Sequence, residues 1–300
     1  MLPTLELGPL KIPMYGLCAF LGFAVGLVLY LLTLRHRKYH VSKIGLALLT
    51  SFTVLLSLGF AVLWDNISHA IEGQEFGTAG ISFLGGAAAG IPLFYWFAYL
   101  SYKDKMAART VVNAAIPPFF LAHAFGRVGC LFAGCCYGRP SSWWWGITYP
   151  EGSKAYEAYS GAPLIPTPII EAVFLLICSA VFFFLVKKHR AIIYFFVYGT
   201  YRFFAEYLRG DDRGSTAIPV FSPGQFLSLF VILAAGGVLA YQLIKKEVWE
   251  EAPFGYGFPP IWDQPWQRKV KRVVKNIVFF WKPWKKKDDD PPPDSPENPI

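Results

Sequence analysis

HAFGRVGCLFAGCCYG, residues 123–138, ends a long apolar run and sets His123 and Arg127 among four glycines and three cysteines. An arginine near the middle of a membrane helix costs roughly 2.5 to 3.5 kcal/mol even on lenient insertion scales, so Arg127 must face a polar cavity or meet a partner. Gly126, Gly129, Gly134 and Gly138 leave room for another backbone or a lipid headgroup to come close. Such a stretch points to a working site inside a membrane.

The rest of the chain agrees. Its 300 residues are 54% hydrophobic and 18% aromatic with only 16% charged, a composition that excludes an ordinary soluble globule. Apolar runs long enough for a bilayer lie near 15–34, 44–64, 80–100, 112–132, 168–186, 190–208 and 222–244. The fold class is therefore all-α: a polytopic membrane protein of about seven transmembrane helices. Lys and Arg cluster after the first, third, fifth and seventh runs, at Arg35 to Lys43, Lys103 to Arg109, Lys187 to Arg190, and Lys245 with Lys246. The positive-inside rule makes those connections cytoplasmic and puts the N-terminus outside. The first run is full length and lacks a basic n-region and a cleavage site, so it is expected to stay as a helix. The net charge of +8 suits anionic lipid rather than nucleic acid.

Two connections, 65–79 and 139–167, are long enough to cap an outward cavity. In the second, Trp143, Trp144 and Trp145, followed by Tyr149, Tyr156 and Tyr159, suit the headgroup layer. The membrane domain is expected over 1–246 and a cytoplasmic tail over 247–300. Within the tail, 267–281 places Arg268, Lys271, Arg272 and Lys275 beside apolar residues, as in a short interfacial helix, and the acidic, proline-rich end reads as disordered.

The sixth run carries Tyr198, Arg202, Glu206 and Arg209 at steps of four, four and three, which stacks them on one helix face. With Arg127 they bring three guanidinium groups near the outer half of the membrane. Planar forks of that kind suit phosphate oxygens, so a phosphate-bearing ligand is expected. The simpler alternative is that Glu206 neutralises Arg202 while Arg209 snorkels to the interface.

On these residues the chain resembles the bacterial prolipoprotein diacylglyceryl transferases. GRVGCLFAGCCYG at 126–138 is similar to that family's glycine-arginine loop and YGTYRFFAEYLRGDD at 198–212 to its late polar helix. MYGLCAFLGF at 14–23, GISFLGG at 80–86, PTPIIE at 166–171 and SPGQFLS at 222–228 follow in the family's order. The resemblance implies transfer of a diacylglyceryl group from phosphatidylglycerol to the thiol of the lipobox cysteine in a lipoprotein signal peptide, in the plasma (inner) membrane. No cofactor is expected and no metal is assigned. By the same resemblance Arg127 and Arg202 match the essential arginines, and Glu206 and Tyr198 their polar neighbours. Tyr15 matches an important tyrosine of the first helix, and Gly126 and Gly138 match the ends of the loop; Gly129 and Arg209 are expected to help hold substrate.

Several positions depart from the pattern. Leu84 stands where the family's SFHGG piece carries histidine, and a leucine accepts no proton. Cys130 and Cys135 replace an asparagine and a glutamate, Ile165 a histidine, and Pro168 a glutamine. His123, one turn before Arg127, can relay a proton in place of the missing histidine or simply hydrogen-bond a neighbouring helix; His69 is a weaker candidate. Cys130, Cys135 and Cys136 admit close helix packing, an activated thiolate, or metal or disulfide use. A different acceptor served by these cysteines, or a phospholipid-binding protein without turnover, are the alternatives to the family reaction.

Overall fold

The computed structural model describes residues 4–7, 10–39, 41–70, 81–211, 220–246, 252–256 and 258. A two-stranded hairpin, β1 (Thr4–Leu7) and β2 (Leu10–Pro13), precedes the helices, with Thr4 opposite Pro13 and Leu7 opposite Leu10. Nothing in the hydropathy profile signals it. Then follow α1 (Met14–His36), α2 (Lys43–Ala70), α3 (Phe83–Tyr102), α4 (Lys105–Phe132), the short α5 (Lys154–Tyr159), α6 (Thr167–Phe184), α7 (Arg190–Ala205) and α8 (Pro223–Ile244). The seven expected runs are thus seven long helices. Six are long and apolar enough to cross a membrane. The exception is α7, whose 16 residues span about 24 Å at 1.5 Å per residue; it is also the helix that carries Tyr198 and Arg202.

Helix α4 is the hub, packed against α1, α3, α6 and α7. Asp104 caps it, its side chain accepting from the Met106 N–H at 2.8 Å. Pro117 lacks the N–H that would bond the Asn113 carbonyl. Arg190, at the start of α7, donates to that carbonyl from Nη1 at 3.4 Å, so the broken rung ties two helices together. Ser179 of α6 donates to the Pro117 carbonyl at 2.8 Å, and Tyr30 of α1 to the Val111 carbonyl at 2.8 Å. On the α1 side Gly22 lies so close to α4 that a Cβ there would sit 2.7 Å from the Ala122 carbonyl oxygen. Small residues set how closely helices approach in lipid, where burial of apolar surface supplies no drive.

The connection between α4 and α6 has its own small core of Tyr137, Tyr149, Ala155 and Leu164. Pro140 and Ile147 both pair with Leu164 by single β-bridges. Trp144 is 95% exposed, as an interfacial anchor would be, whereas Tyr149 is 3% exposed and belongs to the core of the connection rather than to an exterior belt. Residues 65–70 of the other long connection continue α2, and 71–79 lie outside the described residues. Residues 252–256 and Phe258 return to the far helix ends. Ala252 donates its N–H to Thr110 Oγ1 at 2.9 Å, Tyr256 bonds Asp104, and Phe258 sits edge-on to both Tyr39 and Tyr102 at 5.4 Å. The basic segment 267–281 and the acidic end lie outside the described residues.

Candidate functional site

Three helices bring their charged residues to one place. His123 and Arg127 lie one turn apart on α4, Glu171 one turn into α6, and Tyr198 and Arg202 one turn apart on α7. Arg127 Nε stands 3.0 Å from Glu171 Oε1, and it also donates to His123 Nε2 at 3.2 Å. Tyr198 donates its hydroxyl to the same Glu171 oxygen at 2.8 Å. With side chains 9% and 3% exposed, Arg127 and Glu171 cannot rely on water for solvation, so the pair is what makes both charges tolerable. His123 is clamped face to face against Phe83, ring centroids 3.4 Å apart, and edge-on to Tyr198 at 5.1 Å. Its Nε2 accepts from Arg127, so the ring proton belongs on Nδ1, which has no hydrogen-bond partner among the described residues. Both His123 and Tyr198 are within electrostatic range of Arg127 and Arg202.

Glu171 is the residue that the sequence reading passed over. It is the only acid in the run 168–186, and a lone carboxylate in an apolar helix is itself the signal that could have found it.

Arg202 Nη2 lies 2.6 Å from Glu206 Oε2, the two side chains each 7% exposed. Ser222, which caps α8, donates its hydroxyl to Glu206 Oε1 at 3.0 Å. Glu206 therefore holds Arg202 and ties the end of α7 to the start of α8. Arg209 corrects the expected four-residue stripe. The α-helix ends at Ala205, a single 3-10 turn covers Glu206–Leu208, and Arg209 is extended (φ −78, ψ 146). It is buried and held by Asp211 through Nε at 2.8 Å and Nη2 at 2.6 Å instead of lying above Glu206. Nor does it snorkel.

The glycines divide by what they face. Gly129 meets the backbone of Tyr15, to which its Cβ would be 3.2 Å, and this brings the start of α1 against the α4 end. Gly134, at φ +62, adopts the left-handed turn that ends the helix. Gly138 is wedged between Ile165 and Leu208, giving its N–H to the Ile165 carbonyl at 3.0 Å, while Arg139 gives its own to Leu208 at 3.0 Å. Only Gly126, of these four, has nothing within 4 Å of where a Cβ would stand. Open space on α4 next to Arg127 in sequence is there.

Past the end of α4, the chain turns back through Gly134 and through Cys136, which is also left-handed (φ 61). That turn brings the sulfurs of Cys130, Cys135 and Cys136 within 4.8 Å of one another. Arg127 Nη1 reaches Cys136 Sγ at 3.9 Å. Arg209 is within electrostatic range of the same sulfur. The Cys135 thiol donates to the Cys130 carbonyl at 3.6 Å; the Cys130 side chain lowers its pKa, while the Cys136 side chain and burial raise it, and the thiol is pushed up to about 11. His69 hydrogen-bonds the Asp65 carbonyl of its own helix at 2.9 Å. A largely apolar groove of 750 Å³, walled by Phe174, Val197, Tyr201, Phe204 and Leu208, runs along α7.

Comparison with known proteins shows the family of the chain. The family model described as prolipoprotein diacylglyceryl transferase matches residues 3–241. The chain belongs to that family. Among the transferase relatives, a Clostridium perfringens (strain 13 / Type A) protein is 32% identical over 255 residues, 80% of this chain and 94% of its own length. A Clostridium tetani (strain Massachusetts / E88) protein is 29% identical over 81% of this chain and 98% of its own. A Coxiella burnetii (strain RSA 331 / Henzerling II) protein is 28% identical over 81% and 95%. All three are named Phosphatidylglycerol--prolipoprotein diacylglyceryl transferase, the first with the suffix 2. As a member of the prolipoprotein diacylglyceryl transferase family with six strongly apolar helices, the chain is a multi-pass protein of bacterial membranes.

Proposed function

We propose that the protein transfers the diacylglyceryl group of phosphatidylglycerol to the thiol of a lipobox cysteine in a lipoprotein signal peptide. The observation that carries this reading is the pair of buried guanidinium groups, Arg127 and Arg202, each braced by a carboxylate, beside an open face at Gly126. The transfer makes a sulfur-carbon bond and breaks a carbon-oxygen bond, and glycerol phosphate departs with the electron pair. Its barrier therefore depends on stabilising negative charge on a phosphate, which preorganised cations in a water-poor site do far better than solvent.

In this reading Arg127 and Arg202 hold the phosphate, while Glu171 and Glu206 keep the two forks oriented. Tyr198 and His123 are positioning residues, one fixing the Glu171 oxygen and the other sharing the Arg127 N–H. Tyr15 closes the site from α1, and Gly129 lets it approach. Cys130 and Cys135 shape the loop wall, Gly138 anchors the loop end, and Arg209, neutralised by Asp211, supports that anchor. The groove along α7 is suited to an acyl chain of a lipid entering sideways. The Lys and Arg distribution favours the N-terminus outside and the C-terminus in the cytoplasm. The membrane body covers 1–246, and the cytoplasmic tail from 247 begins with the docked stretch 252–258.

Labelled diacylglyceryl transfer from phosphatidylglycerol vesicles to a lipobox peptide by the purified protein tests the reading. Arg202→Ala is expected to lower the rate by about two to three orders of magnitude, the usual effect of removing one charge-stabilising donor. Full activity in that variant, or no transfer by well-folded wild-type protein, refutes it.

A further inference from the structure

Leu84 leaves the reaction without the proton acceptor that the family pattern would place on α3, and the three cysteines beside Arg127 are not used by the phosphate clamp. We propose that Cys130, Cys135 and Cys136 form a site for a thiophilic divalent cation, Zn2+, whose fourth coordination position takes the thiol of the acceptor cysteine. The cation site stands on this chain's own geometry; the fourth ligand rests on the transferase reading above.

Three sulfurs within 4.8 Å of one another already approach the separation that a single ion needs. Zn–S bonds of about 2.3 Å in tetrahedral geometry put the sulfurs about 3.8 Å apart, a contraction that side-chain rotation in a loop supplies. The sequence spacing, with no C-x-x-C pair, conceals this convergence. It arises because Gly134 and Cys136 are both left-handed, turning the chain back on the end of α4. A non-glycine residue held at φ 61 is strained by about 1 kcal/mol or more, and such strain tends to collect at functional positions. A disulfide would use two of the sulfurs and leave the third; one ion uses all three.

The surroundings suit the charge. Zn2+ with three thiolates carries a net negative charge; an N–H of Arg127 reaches the Cys136 sulfur at 3.9 Å, and Arg209 is within electrostatic range of it. Donors on ligand sulfurs are the outer-shell partners that stabilise such complexes. Cys130 is buried while Cys135 and Cys136 are half-buried, so one side of the trio is open to a fourth ligand. Three protein ligands with an open position is the arrangement of reactive rather than purely structural zinc.

The proton balance then closes without a histidine on α3. Zn2+ displaces the three thiol protons to solvent as it binds, and the acceptor thiol loses its proton to solvent on coordination. The resulting zinc-bound sulfur attacks the glyceryl carbon, the carbon-oxygen bond breaks, and glycerol phosphate leaves as the dianion held by Arg127 and Arg202.

The test uses full-length protein in detergent, stripped with chelator under reducing conditions and loaded with Zn2+, or with Co2+ as the coloured substitute. Expected is about one tightly held equivalent per chain with a near-ultraviolet thiolate-to-cobalt band. Affinity should fall on the order of a hundredfold or more in Cys130→Ser and Cys136→Ser and stay unchanged in Cys178→Ser, whose thiol lies in α6. The wild-type spectrum needs no variant, so misfolding of a serine variant does not blur the result. Absence of the band, sub-stoichiometric weak binding, or a thiol count showing a disulfide among the three overturns the site. Adding lipobox peptide should intensify the cobalt band, whereas its Cys→Ser counterpart should not. No difference between the two peptides overturns the fourth-ligand assignment while leaving the metal site standing, and neither readout depends on turnover.

Discussion

Replacing Glu171 by glutamine keeps the shape of the side chain and its acceptor for Tyr198, and removes only the charge that faces Arg127. Unit charges about 4 Å apart at an effective dielectric of about 20 attract by about 4 kcal/mol. Both side chains are almost fully buried, so solvent screening takes little from that figure. The amide oxygen of glutamine still accepts from Arg127 and returns part of the loss, which leaves a cost of about 3 kcal/mol, at the low end of what breaking a buried pair costs. For a body of this size that lowers the melting midpoint by about 6–12 °C. The same change frees Arg127 from its competitor for phosphate. Glu171→Gln should therefore melt early in detergent alone yet gain more from added phosphatidylglycerol than wild type does. Melting curves of the two proteins with and without the lipid measure both effects. Equal midpoints without lipid, or equal lipid-induced shifts, would refute the claim that Glu171 is the counter-charge of a phosphate-binding arginine.

Two glycines, one inside α4 and one in the connection that follows it, should behave oppositely. Gly138→Ala drives a Cβ to 2.6 Å from Ile165 Cβ and 2.8 Å from the Leu208 carbonyl oxygen, and should cost about 1–3 kcal/mol in thermal stability. Gly126→Ala meets nothing within 4 Å, so its melting should hold or rise slightly while the KM for phosphatidylglycerol increases; a KM equal to wild type would place the headgroup elsewhere. Phe258→Ala removes the ring seated between Tyr39 and Tyr102 and should speed protease cleavage near residues 247–258 without altering the transfer rate. Unchanged cleavage would show that the docked stretch is held by its backbone bonds and Tyr256 alone.

How much of this was legible in the sequence depends on what kind of information each feature carries. Helix number and position follow from hydropathy because lipid leaves the backbone no alternative to internal hydrogen bonding, and all seven runs became helices. Arg127 and Arg202 were legible as buried, partnered charges because a charge in an apolar run needs a reason. The same rule, applied evenly, would have found Glu171. Arg209 was misplaced because periodicity extrapolates a helix until something stops it. Here it stops where the Tyr137 carbonyl takes the Gly210 N–H at 3.1 Å and the Leu208 carbonyl takes the Arg139 N–H. Such pairing joins segments some seventy residues apart, and no local pattern encodes it. The N-terminal hairpin was missed because four-residue strands are too short for their alternation to be distinguished from chance.

The cysteine trio shows the same limit from the chemical side. Spacings of five and one match no ligand motif, and the sulfurs meet only because two successive left-handed turns reverse the chain. One of those turns falls on glycine and could be expected; the other falls on Cys136, where a β-carbon makes it unfavourable. Three of the positions that depart from the family pattern, Leu84, Cys130 and Cys135, are connected on this proposal. Losing the imidazole on α3 removes a proton acceptor, and Cys130 and Cys135, replacing an asparagine and a glutamate in the adjoining loop, supply with Cys136 a set of ligands that can make a bare proton acceptor unnecessary. On the proposed reading, a site with two braced arginines, a leucine at the family's histidine position and three convergent thiols generates its sulfur nucleophile at a metal ion rather than at an imidazole.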